Sequence, residues 1–124
     1  MARQRDPHDL LPLTPAVLHV LLALADGDKH GYAIIKEVSR RTSEEVLLGA
    51  GTLYALIKRL LAEGMILETD ERPDPALDDE RRRYYRLTSF GRAVAMVEVE
   101  RLEAIVEQAH AKRLFALPTK RARA

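Results

Sequence analysis

The change of hydrophobic period between Met65 and Leu87 most constrains what this chain can fold into. Two short runs of strand-favouring residues, Met65 to Thr69 and Arg83 to Leu87, flank a polar loop that carries Pro73 and Pro75. Proline interrupts regular structure, so the pair reads as a β-hairpin around a loop. On either side, apolar residues recur at helical spacing instead. The order is therefore helix, helix, helix, hairpin, helix: a mainly α fold with a small β-hairpin. At 124 residues the chain accommodates one compact domain and one extended element.

Each helix has its own signals. Thr14-Pro15 supplies an N-cap hydroxyl followed by a residue already at the helical φ. Ala16, Val17, Leu18, Val20, Leu21, Leu22 and Leu24 then leave the first helix hardly any polar face, which predicts burial on nearly every side and a second chain packed against it. Ile34, Ile35 and Val38 form the buried stripe of a second helix over about Gly31 to Arg40. A third helix runs from near Thr52 to Gly64, with Leu53, Leu56, Ile57, Leu60 and Leu61 on one side and Tyr54, Ala55, Lys58 and Arg59 toward the other. Thr88 caps a last helix that reaches about Phe115 before Pro118.

That last helix predicts a homodimer. Leu102 and Val106 continue a seam begun by Ala95 and Val99 and ended by Ala109, at alternating four- and three-residue steps. A helix of roughly 27 residues extends about 40 Å, too far for a three-helix domain to cover alone. Leu18 and Leu22 of the first helix are assigned to the same interface. The expected organisation is a flexible arm over 1–11, a winged helix-turn-helix over 12–88, a dimerisation helix over 89–115 and a basic flexible tail over 116–124.

Composition excludes more than it selects. Twenty basic and nineteen acidic residues leave a net charge of +1, so any contact with nucleic acid must come from local geometry. With no cysteine, disulfides and thiolate metal sites are out. The four histidines, His8, His19, His30 and His110, lack the close spacing of a metal site, and Asp78-Asp79-Glu80 lacks the alternation of a calcium loop. No nucleophile–base pairing, phosphate-cradling loop or dinucleotide fingerprint is present, so neither catalysis nor a cofactor is expected. The longest apolar stretch, Ala16 to Ala25, is interrupted by His19 and is too short to span a bilayer. A cytoplasmic location without membrane contact is the expectation.

The second and third helices are placed to form a helix-turn-helix, with the hairpin as its wing. In such units the later helix enters the major groove of double-stranded DNA and its first residues meet base edges. The candidate DNA-binding residues are accordingly Gly51, Thr52, Tyr54, Ala55 and Lys58, with Arg82 and Arg83 from the wing. Gly51 allows close backbone approach, and Thr52 is expected to cap the helix. Tyr54 and Lys58, four apart, share a face, and Lys58 is preferred to Arg59 for a phosphate or guanine contact. Tyr32 is read as core packing instead, and one of Tyr84 and Tyr85 as core with the other exposed.

His30-Gly31-Tyr32, Gly51-Thr52-Leu53-Tyr54 with Lys58-Arg59-Leu60, Glu63-Gly64-Met65-Ile66, and Arg82-Arg83-Tyr84-Tyr85-Arg86-Leu87-Thr88 with Gly91 stand in an order and spacing that strongly resembles the PadR family of transcriptional regulators. The resemblance runs from about Leu13 into the last helix. It implies a winged helix-turn-helix, a dimerising C-terminal helix, and a repressor of nearby genes often relieved by a small molecule. The single C-terminal helix resembles the smaller branch of that family. Ala55 departs from the proline common at that position, and Ser89-Phe90 replace the usual acidic residues after the capping threonine. An effector would find its space between the first and last helices, where Leu18, Leu22, Met96 and Val99 are candidates. The operator expected of a two-fold dimer is pseudo-palindromic. The competing reading is a winged-helix protein-interaction module that no longer reads DNA, favoured by the near-neutral charge and the acidic wing loop.

Overall fold

The computed structural model describes residues 5–43, 45, 48–70 and 83–114. Helices α1 (Pro15–Leu24), α2 (Gly31–Arg41) and α3 (Ala50–Ala62) precede strands β2 (Ile66–Thr69) and β3 (Tyr84–Leu87), and α4 (Ser89–Ala111) follows. A strand that the hydrophobic pattern did not signal, β1 (Lys29–His30), joins them in an antiparallel sheet of order β1-β3-β2. Two residues are too few to carry a period. The pairing Lys29 with Tyr85 and His30 with Tyr84 makes β3 the central strand.

That central position corrects the reading of the two tyrosines. Both Tyr84 and Tyr85 are buried, because the strand is covered on both faces. Tyr85 joins the main apolar cluster. Tyr84 meets the His30 ring edge-on, with ring centroids 5.3 Å apart.

The core draws on every helix: Val20 and Leu21 from α1, Ile34 and Val38 from α2, Leu53 and Leu60 from α3, and Val94 from α4 are all buried. α1 starts as its sequence predicts, with the Thr14 hydroxyl accepting from the Val17 N–H at 3.2 Å and Pro15 in the first turn. Within the single chain it is not buried all round, since Leu22 is exposed. The His19 imidazole lies 3.3 Å from the Arg41 guanidinium. Partial burial, and secondarily that positive charge, hold its pKa below the usual value.

The junction between α3, β2 and α4 is built tightly. α3 ends in a Schellman motif: Met65 N–H donates to Leu60 O at 3.0 Å and Gly64 N–H to Leu61 O at 3.1 Å. Gly64 takes the positive φ of 79° that this motif needs. Thr88 then serves both sides of the joint. Its hydroxyl accepts from Gly91 N–H at 2.9 Å, capping α4, and donates to Gly64 O at 2.6 Å. Its own N–H donates to Met65 O at 3.1 Å. Replacement of the acidic residues by Ser89-Phe90 therefore leaves the cap intact.

Two boundaries differ from expectation at the ends. α4 stops at Ala111, where Arg113 takes a positive φ of 64° and Leu114 N–H bonds back to Ala109 O at 2.8 Å. Phe115 lies outside the described residues. At the other end, part of the segment read as a flexible arm is folded: Pro7–Leu10 forms a 3-10 helix packed on α4. Arg5 donates to the Glu63 carbonyl and stacks over the Phe90 ring at 5.1 Å. Glu98, which the apolar pattern of α4 gave no reason to single out, is 1% exposed. Its carboxylate accepts from Leu13 N–H at 3.1 Å and from Arg101 at 2.6 and 3.0 Å. The Arg101 hydrogen bond, reinforced by the Leu13 N–H, holds the Glu98 carboxyl below its ordinary pKa against the opposing effect of burial.

Candidate nucleic-acid interface

α3 divides cleanly into a core side and a solvent side. Leu53, Ile57 and Leu60 are buried and fix the helix to the domain. Gly51, Thr52, Ala55 and Lys58 are exposed, as Arg59 is. At 100° per residue, Gly51, Ala55, Lys58 and Ala62 follow one another along a single line, so three small residues flank one lysine. Arg59 lies to one side and is 3.5 Å from Glu63. Among the described residues Lys58 makes no ion pair, which leaves its ammonium free to meet an external anion.

The helix starts earlier than the sequence suggested. Gly49 is its N-cap and makes no side-chain cap bond, so Thr52 is not the cap but an exposed residue of the first turn. The glycine-containing start misled the expectation, because the missing hydroxyl at Gly49 left Thr52 as the nearest good capping residue. Among the described residues, the first N–H groups of α3 therefore have no side-chain cap.

Tyr54 is half-exposed but not free. Its hydroxyl and ring tip cover Gly31 at the start of α2, where a Cβ would come within 2.5 Å of the hydroxyl oxygen. The ring thus sets the approach of α2 to α3 while presenting its outer edge to solvent. Gly31 and Tyr54, read apart in the sequence, belong to one helix–helix contact. His30, immediately before, caps α2 through Nδ1, which accepts from Ala33 N–H at 3.2 Å.

Tyr32 overturns the core reading, being 60% exposed. It stands two residues beyond its helix cap, pointing away from the stripe of Ile34 and Val38, and the Lys36 ammonium lies 5.5 Å from its ring centroid. Its spacing to Lys36 and Arg40, all four apart, was the signal available in the sequence.

The wing is described only at its base. Arg83 is exposed and donates to Glu68 at 2.8 Å, a contact that raises its pKa. Arg82 and the acidic run Asp78-Asp79-Glu80 lie outside the described residues. Behind the wing, Arg86 grips Asp28 with Nη2 at 2.8 Å and Nε at 3.1 Å, fixing β3 to the end of α1. Arg92 of α4 donates to Ala25 O at 3.0 Å at the same end of α1.

Of the residues assigned to the dimer, Val99 and Val106 are exposed and Leu18, Ala95, Leu102 and Ala109 are half-buried. Two open concavities lie along this side of the molecule. One, of about 540 Å³, follows Val99, Leu102, Val106 and His110. The other, of about 310 Å³, lies between α1 and α4 and brings Leu22, Met96 and Val99 together with Arg92 and Glu100. Leu18 is not part of its lining.

A three-helix unit with a short winged sheet and an extended last helix is the architecture of winged-helix transcription regulators. Residues 18–96 match the model of the transcriptional regulator PadR-like family, and the chain belongs to that family. It is 34% identical over 74 residues to an uncharacterised protein of Lysinibacillus sphaericus, a match covering 60% of this chain and 65% of that protein, just under two thirds of its length. A transcriptional regulator of Mycobacterium tuberculosis is 33% identical over 91 residues, 73% of this chain and 78% of its own. Among solved structures, Bordetella bronchiseptica BpsR, whose DNA binding is regulated by 6-hydroxynicotinic acid, superposes with a TM-score of 0.62 at 26% identity. That match covers 91% of this chain and 76% of BpsR.

Proposed function

We propose that this PadR-like regulator is a homodimeric, sequence-specific DNA-binding repressor whose two α3 helices enter successive major grooves of a pseudo-palindromic operator. The observation that carries the reading is the line Gly51, Ala55, Lys58 on the solvent side of a helix whose other side is locked in the core. Small residues let the helix sit deep in the groove, Ala55 offers a methyl for thymine, and Lys58 offers a donor for guanine or phosphate. Tyr54 holds the reading helix against α2. Half-sites lie about one helical turn apart, roughly 10 base pairs, or a simple multiple.

The dimer forms along α4 through Val99, Leu102 and Val106, with Leu22 and Leu18 of α1 closing the seam. Apolar side chains left open on a single chain at Met96, Val99, Ile105 and Val106, along about 15 Å of helix, support this assembly. A small-molecule effector occupies the space between α1 and α4 at Leu22, Met96 and Val99. Regulation of BpsR by 6-hydroxynicotinic acid supports an effector in a protein of this architecture. Such a ligand relieves repression only if it binds the two arrangements of the reading heads unequally.

Selection from a randomised duplex library by the purified protein tests the reading, followed by anisotropy titration of the enriched duplexes. A two-fold symmetric site bound by one dimer is the expected outcome. Binding that enriches no sequence, with or without a metabolite extract, would turn the assignment to a protein-interaction module.

A further inference from the structure

We propose that Tyr32, Lys36 and Arg40 of α2 form the phosphate anchor that sets the register of α3 on DNA, in preference to Arg83 at the base of the wing. The inference rests on the DNA-binding reading above. These three residues recur every fourth position, so they line one face of α2, and all three are exposed. No acidic residue interrupts that line. The one acid of α2, Glu37, is turned to another side, where it meets Lys29 at 3.5 Å and Arg41 at 3.1 Å.

Among the described residues, neither Lys36 nor Arg40 makes an ion pair, and the Lys36 ammonium lies over the Tyr32 ring rather than on a carboxylate. Arg83 contrasts with them, because Glu68 already engages its guanidinium at 2.8 Å. The stripe also starts in the right place. Gly31, one residue before Tyr32, is in contact with Tyr54 of α3, so its leading end borders the exposed face of the reading helix. An element beside a groove-bound helix meets the sugar-phosphate backbone, where tyrosine hydroxyls, lysines and arginines position a protein without reading sequence.

Salt-dependent titration of one wild-type-selected duplex distinguishes the contributors. Each phosphate contact adds about 0.9 to the slope of log affinity against log salt, equivalent to about eightfold in affinity at about 0.1 M salt. In the proposed dimer each substitution removes one contact from each protomer, so Lys36→Gln and Arg40→Gln are each expected to flatten the slope by about 1.8 and weaken binding about sixtyfold, with the selected sequence unchanged. Tyr32→Phe is expected to weaken binding several-fold without altering the slope, since it removes a hydroxyl and no charge. Arg83→Gln is expected to change the slope by less than half as much as Lys36→Gln. All four positions are exposed, and thermal melts confirm that the variants remain folded. Wild-type slopes in both Lys36→Gln and Arg40→Gln overturn the anchor, as does an Arg83→Gln effect equal to theirs. If the wild-type protein enriches and binds no duplex, the DNA reading itself fails and the anchor with it.

Discussion

Replacing Gly91 by alanine tests the joint between the reading domain and α4. A Cβ built at Gly91 falls 2.0 Å from the Met65 carbonyl oxygen, 2.8 Å from its carbon and 2.9 Å from Leu87 Cδ1. Carbon–oxygen contacts settle near 3.3 Å, so the strand and helix must part by about 1.3 Å. The obstacle is backbone, which cannot swing aside as a side-chain tip can. The same carbonyl accepts the Thr88 N–H at 3.1 Å, and parting the two elements stretches that bond. Its loss costs about 1 kcal/mol, and overpacking a closed core adds roughly 1–3 kcal/mol. The helix-forming advantage of alanine returns at most about 1 kcal/mol. The net expectation is a loss of about 1–3 kcal/mol, or roughly 3–15 °C in Tm for a chain of this size.

Gly51→Ala is the internal control. It also lies in the first turn of a helix, but a Cβ there has nothing within 4 Å. Only the propensity gain remains, so its stability should stay level or rise by up to about 1 kcal/mol. Melts followed by circular dichroism at one fixed protein concentration compare the two, since dimerisation makes Tm concentration-dependent. A Gly91→Ala protein that melts within about 2 °C of wild type would refute the close-approach argument. An equal loss in Gly51→Ala would show that glycine at helix starts matters here for some other reason.

The remaining expectations concern other contacts. Gly31→Ala places a Cβ 2.5 Å from the Tyr54 hydroxyl, but that half-exposed ring can swing away; stability should change by less than about 1 kcal/mol, while DNA affinity in anisotropy titration falls. Glu98 has a lowered folded-state pKa, so the unfolded chain binds its proton first on acidification. Its contribution is present above the ordinary carboxylate range and is lost as pH falls through the lowered value, so urea midpoints of Glu98→Gln should vary less than wild type below about pH 4.5. At Arg113, whose φ is 64°, glycine removes left-handed strain, and Arg113→Gly should raise stability by about 1 kcal/mol in thermal melts. Val106→Glu puts a charge in the proposed α4 seam; light scattering should find monomers where wild type gives dimers, and an unaltered dimer would place the interface elsewhere.

The sequence announces long elements better than short ones, and faces better than contacts. α1 is legible from Thr14-Pro15 and its leucines because capping and packing agree on the same boundary. β1 is not, because a two-residue strand exists only through its pairing with β3. The same pairing buries both Tyr84 and Tyr85, which alternation along a strand cannot foresee. On α3 the exposed line through Ala55 and Lys58 follows directly from the apolar period, whereas the Tyr54–Gly31 contact depends on how two helices meet. Tyr32 reads wrongly as core for the opposite reason: aromatic residues are usually buried, and only its four-residue spacing to Lys36 and Arg40 marks the outer face. Glu98 reads as one of the surface charges of α4 with Glu100, Arg101, Glu103 and Glu107, and its burial depends on a partner far away in sequence, the backbone N–H of Leu13.

Hydrogen-bonded joints tie the long helix α4 to the end of α3 and to α1. Thr88 and Gly91 fasten the start of α4 to Met65 and Gly64 at the end of α3. Arg92 fastens the next turn to the carbonyl end of α1, and Arg86 fastens β3 to Asp28 just beyond it. On the opposite side, Arg5 bonds to Glu63 while Glu98 holds Leu13. A reading head clamped to its own α4 at several separate points has little freedom to pivot on that helix. In the proposed dimer, the distance between the two α3 helices is then governed by the angle at which the α4 helices cross. The space beside Leu22, Met96 and Val99 shares Val99 with the proposed seam, so in that dimer a ligand wedged there would alter half-site spacing without touching α3.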